Sequence, residues 1–392
     1  MKKNVAIAVV AILSFTATNA QNDVNDQLNP LLTGIPFLTI TPDARAGGMG
    51  DLGVATTPDA ASQYWNPAKY AFMESEVGLT FAYTPWLSQL VSDINLSNLA
   101  AYWRFEERQT LSASLRFFSL GEVNLTDHDG KPLSDVHPND FAIDAAYTLL
   151  LSEKLSGSVA LRFVRSNLGN IPGSGDDMEP GLSFGADVAA YYRTPITLAS
   201  GDANLAFGLN ISNIGTKVSY DGGQTNNFIP TNLRLGTSFD YPIDSYNKIS
   251  FSADLNKLLV PSAPRYIGYD GGSANPDFQA ALKDYYNTTP IAGIFKSFGD
   301  APRGFREELE EVMWSLGAEY AYNNQFFVRG GYFHESQNKG NRKFFTAGVG
   351  FKLNVFQLDA GYVISVAQTN PLDGTLRLGL SFDLFGLKNL VN

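Results

Sequence analysis

From Val77 onward the chain runs in segments of about ten residues in which apolar and polar positions alternate, the period of a strand with two unlike faces. Leu111, Ala113, Leu115 and Phe117 share one phase, opposite Ser112, Ser114 and Arg116. The next segment sets Phe141, Ile143, Ala145, Tyr147 and Leu149 opposite Asp144. About fourteen such segments begin near residues 76, 95, 110, 140, 155, 181, 204, 231, 248, 313, 326, 344, 355 and 375. Their charges fall on the phase opposite the bulky apolar residues: Arg104, Arg116, Asp144, Arg162, Asp187, Arg234, Asp254, Glu319, Arg329, Lys352, Asp359 and Arg377.

One oily and one wet face fits either a soluble sandwich or an outer-membrane barrel, which turns the oily face to lipid and keeps a polar lumen. The connections decide between them. Long links over 119–139, 166–180, 213–229 and 257–312 alternate with short ones at 106–109, 152–154, 323–325 and near Asn354. A link of medium length at 193–203 is the exception. Short turns at one end and long loops at the other are the habit of outer-membrane barrels. The expected fold is therefore all-β: a transmembrane antiparallel barrel of about fourteen strands over 76–385, with a tail at 386–392. An even strand count puts both chain termini on the periplasmic side and the long loops outside. Tyr83, Trp86, Trp103, Tyr192, Tyr241, Trp314 and Tyr322 sit at segment ends, as interfacial girdles require.

Composition narrows the setting. Lys2 and Lys3, the apolar run Val5 to Leu13 and Thr18-Asn19-Ala20 form a signal peptide over 1–20, which predicts export from the cytoplasm. Cysteine is absent, so neither disulfides nor thiolate metal sites hold the fold. A net charge of −11 disfavours nucleic acid as a partner, because phosphate binding needs clustered Lys and Arg. After the signal peptide no stretch of about 18 apolar residues could span a bilayer as a helix.

Residues 21–75 lack two-fold alternation and carry Pro30, Pro36, Pro42, Pro58 and Pro67, which predicts a folded plug or an arm ahead of the barrel, not a strand array. Within it Gly48, Gly50 and Gly53, with Glu74 downstream, have the spacing of a dinucleotide loop. Such a loop must leave a strand and open a helix facing the pyrophosphate. Here Pro42 precedes it closely and the run Val54 to Pro58 starts no long helix, so the glycines are expected to serve tight turns.

The whole stretch DARAGGMGDLGVATTPDAASQYWNPAKYAF, with Asn66, Pro67 and Ala68 as its turn, resembles the N-terminal hatch of FadL-type outer-membrane proteins. Three further stretches resemble the PorV family within that group: NPLLTGIPFLTITPDARAGGMGD (29–51), DLNKLLVPSAP (254–264) and FKSFGDAPRGFREELEEV (295–312). The third is the most specific. This resemblance implies a non-enzymatic outer-membrane component of the type IX secretion system. Such a protein binds the C-terminal signal domain of secreted cargo at the translocon barrel and shuttles it to the surface attachment complex containing the sortase. Outer-membrane lipid surrounds it.

The third stretch falls in the longest link. Asn275-Pro276 reads as a helix start, followed by Phe278, Ala281, Leu282 and Tyr285 at helical spacing. Phe305, Leu309 and Val312 repeat the spacing beside Arg306, Glu307, Glu308, Glu310 and Glu311. These helices read as a lid on the barrel mouth, as a docking surface, or as both. The candidate cargo contacts are Phe278, Tyr285, Tyr286, Phe295, Phe298 and Phe305.

No catalytic arrangement stands out. Gly173-Ser174-Gly175 lacks the full nucleophile motif. Asp127, Asp129, Asp135 and Asp140 around His128 and His137 lack the full calcium-loop pattern and read as a solvated acidic loop, so neither metal nor cofactor is expected. His334, the third histidine, also reads as a loop residue. The lumen residues Arg104, Arg116, Arg162 and Asp187 are expected to bond one another and the hatch. Two other function classes stay open: a FadL-like transporter of hydrophobic small molecules, and a barrel that scaffolds surface assembly.

Overall fold

A computed structural model describes residues 28–89, 91–126, 129, 131–169, 178–198, 201–265, 272–366 and 372–383. The signal peptide, residues 21–27, Asp127, His128, Gly173 to Gly175, Phe385 and the tail at 386–392 lie outside the described residues.

The strands are β1 (Val77–Pro85), β2 (Asn95–Glu106), β3 (Gln109–Ser119), β4 (Val123–Thr126), β5 (Pro132–Val136), β6 (Asn139–Leu150), β7 (Leu155–Asn167) and β8 (Gly181–Leu198). They continue as β9 (Gly201–Gly215), β10 (Asn232–Pro242), β11 (Asn247–Leu258), β12 (Val312–Tyr322), β13 (Phe326–His334), β14 (Lys343–Leu353), β15 (Phe356–Ser365) and β16 (Leu376–Asp383). All but β4 and β5 form one closed antiparallel barrel, whose seam pairs β1 with β16 from Gly78↔Asp383 to Tyr83↔Leu378. Every predicted strand start lies within a few residues of an observed one. β4 and β5 form a separate hairpin inside the 119–139 link, which the alternation did not announce.

The two phases of each strand separate cleanly. Leu161 on β7 is 69 % exposed, while its neighbours Ala160 and Arg162 are 2 % and 5 % exposed. Leu115, Ile143, Phe184, Phe251, Val328 and Val349 likewise point outward. An apolar belt that continuous is unstable against water and stable against hydrocarbon, so the barrel presents it to lipid. Tyr83, Trp103, Tyr192 and Tyr322 are exposed on the wall as expected for girdles, whereas Trp86 lines a cavity at the mouth.

Links at 86–94, 120–138, 168–180, 216–231, 259–311, 335–342 and 366–375 gather at one end, and the links between them are short. The medium link expected at 193–203 is corrected. β8 and β9 pair outward as far as Leu198↔Gly201, so the described residues of this stretch lengthen two strands.

The hatch fills the lumen. Asp43 caps the short helix Ala44–Gly47 by accepting from the Arg45 and Ala46 N–H groups. Asn66 caps the turn Pro67–Phe72, and Pro67 stands at its first position, where a missing N–H costs nothing. This turn is sewn to the wall. Asn66 Nδ2 donates to the carbonyls of Val54 (3.0 Å) and Ala190 (2.9 Å), Thr148 donates to the Pro67 carbonyl (3.0 Å), and Ser156 to that of Ala68 (2.6 Å).

The glycines have a packing role. Gly50 takes φ 78°, and a Cβ there would lie 2.8 Å from the Tyr332 backbone. Facing it, a Cβ on Gly331 of β13 would lie 2.1 Å from the Met49 carbonyl carbon. Backbone meets backbone here, which only glycine allows on both sides. Gly48 likewise lies against Gly348 of β14, whereas Gly53 lies against the Trp65 ring within the hatch, so the dinucleotide-like spacing serves close packing.

One expectation about the termini changes. Val77 and Asp383 both lie at the short-turn end, as an even strand count requires. The hatch, however, enters from the loop end, where Asn29 N–H donates to the Asn338 carbonyl (2.7 Å) and Gly34 N–H to that of Phe228 (2.8 Å). Leu28 and Asp383 therefore sit at opposite ends of the barrel.

Candidate functional site

Charges on the inner wall are spent on the hatch and on one another. Arg45 of the hatch is bidentate to Glu319 (3.1 and 3.0 Å) and pairs with Asp59 (2.7 Å). Arg329 bridges Glu319 and Asp359, both at 2.6 Å. Arg162 pairs with Asp187 (2.9 Å) and Asp144 (3.3 Å), Arg377 with Asp51, and Gln63 donates to Asp144 (2.7 Å). Asp254 accepts the Gly53 and Val54 N–H groups at 2.8 and 3.1 Å. Arg116 reaches Asp144 at 3.8 Å. Buried pairs of this kind are costly to break from one side, so they fix the hatch in one pose. Arg104, grouped with them by sequence, lies apart at the turn end and donates to the Glu74 carbonyl (3.2 Å).

Above the hatch, at the loop end, lies a cavity of about 500 Å³. Its walls are Phe37, Ile40, Trp86, Ile94, Phe118, Leu120, Phe333, Phe344 and Leu372, and its floor carries Tyr64, Trp65, Asn232, Arg234 and Asn256. Glu311, Glu335, Lys339 and Arg342 stand among its lining.

The longest link, 259–311, folds over this end, and its described residues include three α-helices, Pro276–Asn287, Pro290–Lys296 and Phe305–Glu310. Asn275 caps the first through the Asp277 and Phe278 N–H groups, as its Asn-Pro start suggested. The six candidate contacts divide into two sets. Phe278 and Tyr285 are buried, Tyr286 is half-buried, and Tyr285 meets Phe228 edge-on at 5.4 Å. Lys217 holds that helix end by donating to the Tyr285 (3.3 Å) and Tyr286 (2.9 Å) carbonyls, its ammonium 3.9 Å from the Phe228 ring centre. Burial pulls the Lys217 amine down to about 8 and pushes the Tyr285 hydroxyl up to about 12.

Phe295, Phe298 and Phe305 are instead 75, 54 and 78 % exposed, with Ile291 and Leu309 also exposed on the lid. The last helix is docked the opposite way to an ordinary amphipathic helix, with its acids buried and its apolar residues outside. Glu307, Glu308 and Glu311 are buried against Lys257 and Lys339. Lys257 reaches Glu308 (3.0 Å) and Glu311 (2.5 Å), and Lys339 reaches Glu307 (2.6 Å) and Glu311 (3.0 Å). Asn29 adds a bond to Glu307 (2.8 Å). Burial alone would raise Glu307, but the bonds from Lys339, Asn29 and the Arg303 N–H outweigh it and hold the group at about 2.

Sequence reasoning found the lid and its aromatics but missed Lys257, Lys339, Lys217 and Phe228, which anchor it. The signal available was the glutamate-rich run 307–311, too acidic for one exposed turn. Among the described residues no group of three or more His, Asp or Glu could hold a metal ion.

A search of curated proteins finds no match. Among solved structures the chain is similar to the toluene transporter TodX of Pseudomonas putida, at 10 % identity and TM-score 0.49, over 91 % of this chain and 99 % of that one. It is also similar to a FadL homologue of Pseudomonas aeruginosa (11 % identity, TM-score 0.42, 91 and 99 % covered). The toluene transporter TbuX of Ralstonia pickettii is a third (12 % identity, TM-score 0.44, 87 and 96 % covered). The barrel rests on its own strand ladder, not on these scores. The sequence profile described as "Type IX secretion system protein PorV" matches residues 22–265, which takes in the first two of the three resembling stretches and leaves the third outside. On that match, which spans the hatch and the first nine barrel strands, the chain belongs to the PorV family of type IX secretion system proteins.

Proposed function

We propose that this outer-membrane barrel is the cargo shuttle of its secretion system. It binds the C-terminal signal domain of secreted proteins as they leave the translocon and delivers them to the attachment complex containing the sortase. The loop end then faces the cell exterior. The observation that carries this reading is the exposed apolar lid surface of Phe295, Phe298 and Phe305, held from beneath by a buried ionic clamp. Large exposed aromatics on a rigid support are the composition of a protein-binding hot spot.

Replacing Phe295, Phe298 and Phe305 together by Ser leaves the clamp in place. We expect loss of cargo pull-down by at least tenfold, with the barrel still heat-modifiable on gels. Normal secretion by this variant, or after removal of 270–310, refutes the assignment.

Small-molecule transport draws support from the mouth cavity, but the paired hatch lies between that cavity and the turn end. Pull-down of the native protein separates the readings: secreted proteins sharing a C-terminal domain favour the shuttle, bound fatty acid favours transport, and fixed complex partners favour a scaffold.

A further inference from the structure

The mouth cavity contains one buried cation to which, among the described residues, no carboxylate is hydrogen-bonded. Of its acidic and basic residues, Asp51 is paired with Arg377, Glu335 with Arg342, and Glu311 with Lys339. Arg234 is 4 % exposed and, among the described residues, forms no salt bridge. Its guanidinium donates only to the Tyr64 carbonyl (3.2 Å) and hydroxyl (3.0 Å), and lies 4.6 and 5.4 Å from the ring centres of Tyr64 and Trp65. Asp254, on the neighbouring strand, attracts Arg234 without a hydrogen bond to it: its Oδ2 accepts the Gly53 and Val54 N–H groups, and its buried Oδ1 has no hydrogen-bond partner. Beside Arg234 the buried Oδ1 of Asn232 has no hydrogen-bond partner. A buried guanidinium is costly without an anion, and a bidentate carboxylate is its best-fitting one. Apolar walls around a few polar groups, in the mouth of a barrel and within the volume range of about 300–1,000 Å³, make a ligand site.

We infer that this cavity receives a carboxylate borne on an apolar group, seated on Arg234, and that its source is the C-terminal end of a polypeptide. Resting on the shuttle reading, this assigns the cavity to the extreme end of the cargo chain, below the lid surface that holds the body of its signal domain. Apolar side chains of the last residues pack on Phe37, Ile94, Phe118 and Phe344, and Asn232 is left to meet a backbone N–H. A fatty acid offers the same chemistry, and the experiment separates the two.

The full-length protein in lipid nanodiscs is titrated with the tripeptide Ala-Leu-Val, labelled at its amino end, as free acid and as C-terminal amide, with dodecanoate in a separate arm. Fluorescence anisotropy should show saturable binding of the acid, at least tenfold weaker binding of the amide, and competition by dodecanoate for the shared seat. Arg234→Gln should abolish the preference for the acid, and Arg234→Lys should restore part of it. Ile94→Trp, which fills the cavity and spares Arg234, should remove both, with heat-modifiable mobility reporting that each variant is folded. Equal binding of acid and amide, or an acid preference that survives Arg234→Gln, overturns the inference. Binding of dodecanoate with neither peptide bound also overturns it and makes the cavity a lipid-acid site. In either case the shuttle reading is still judged on the lid variant.

Discussion

At the scale of single residues, the hatch is held where backbone meets backbone, at Gly50 against Tyr332 and Met49 against Gly331, and where buried ion pairs such as Arg45 with Glu319 cross from hatch to wall. The features legible in the sequence are those with a local cause. Asn66 and Pro67 announce a capped turn because the cap and the fixed φ act within two residues. Arg234 and Arg329 announce a lumen because strand phase alone decides where they point. What they pair with was not legible, since Arg45 meets Glu319 and Asp51 meets Arg377 across hundreds of residues. The hatch glycines were misleading for the same reason. Their explanation, the Gly50–Tyr332 and Met49–Gly331 approaches, lies on the far side of the chain. Enlarging one side tests it. Gly331→Val should overpack the contact at a cost of about 1–3 kcal/mol. With the barrel closed, the strain falls on the hatch, and conductance across a planar bilayer should rise; a variant as tight as the wild type would count against the contact.

Among the elements, strands were the easiest to read and the lid the hardest. A strand declares both faces by its period of two, and in lipid the oily phase must point outward. The helix Phe305–Glu310 declares two faces as well, but which is buried depends on Lys257 and Lys339, placed by other elements. The clamp has a pH signature. Burial pushes Asp300, beside the clamp, up to about 6 from its ordinary 3.8, only partly opposed by the Ser262 N–H. The docked lid therefore favours protonated Asp300, and this contribution is full below about 3.8 and lost as pH rises through about 6. Glu307, held at about 2 against an ordinary 4.5, contributes above about 4.5 and loses it as pH falls through about 2. Lid docking should peak between these limits, and Asp300→Asn should flatten the alkaline limb. Hydrogen exchange of the lid amides, corrected for intrinsic rate, measures it; equal protection at pH 5 and pH 8 would dispose of the scheme.

For the molecule as a whole, the strand count and loop parity followed from the sequence because both are one-dimensional properties. The course of the hatch did not, because a plug without alternation carries no sign of which mouth it enters. The structure runs it from Asn29 at the loop end to β1 at the turn end. A cysteine placed at the exposed Leu28 and another at Asp383 should accordingly react from opposite faces of the membrane. In intact cells an impermeant maleimide is expected to label the first and spare the second, and equal labelling would mean the hatch enters from below.

That course makes the molecule a thread through a ring. The ring closes only when β1 meets β16, the first and last barrel strands, so the thread has to be inside before the final stitch or be drawn through afterwards. A folded domain fused ahead of Leu28 would be too bulky to follow it, and the order in which plug and seam are completed becomes a condition of assembly, set by topology rather than by any contact.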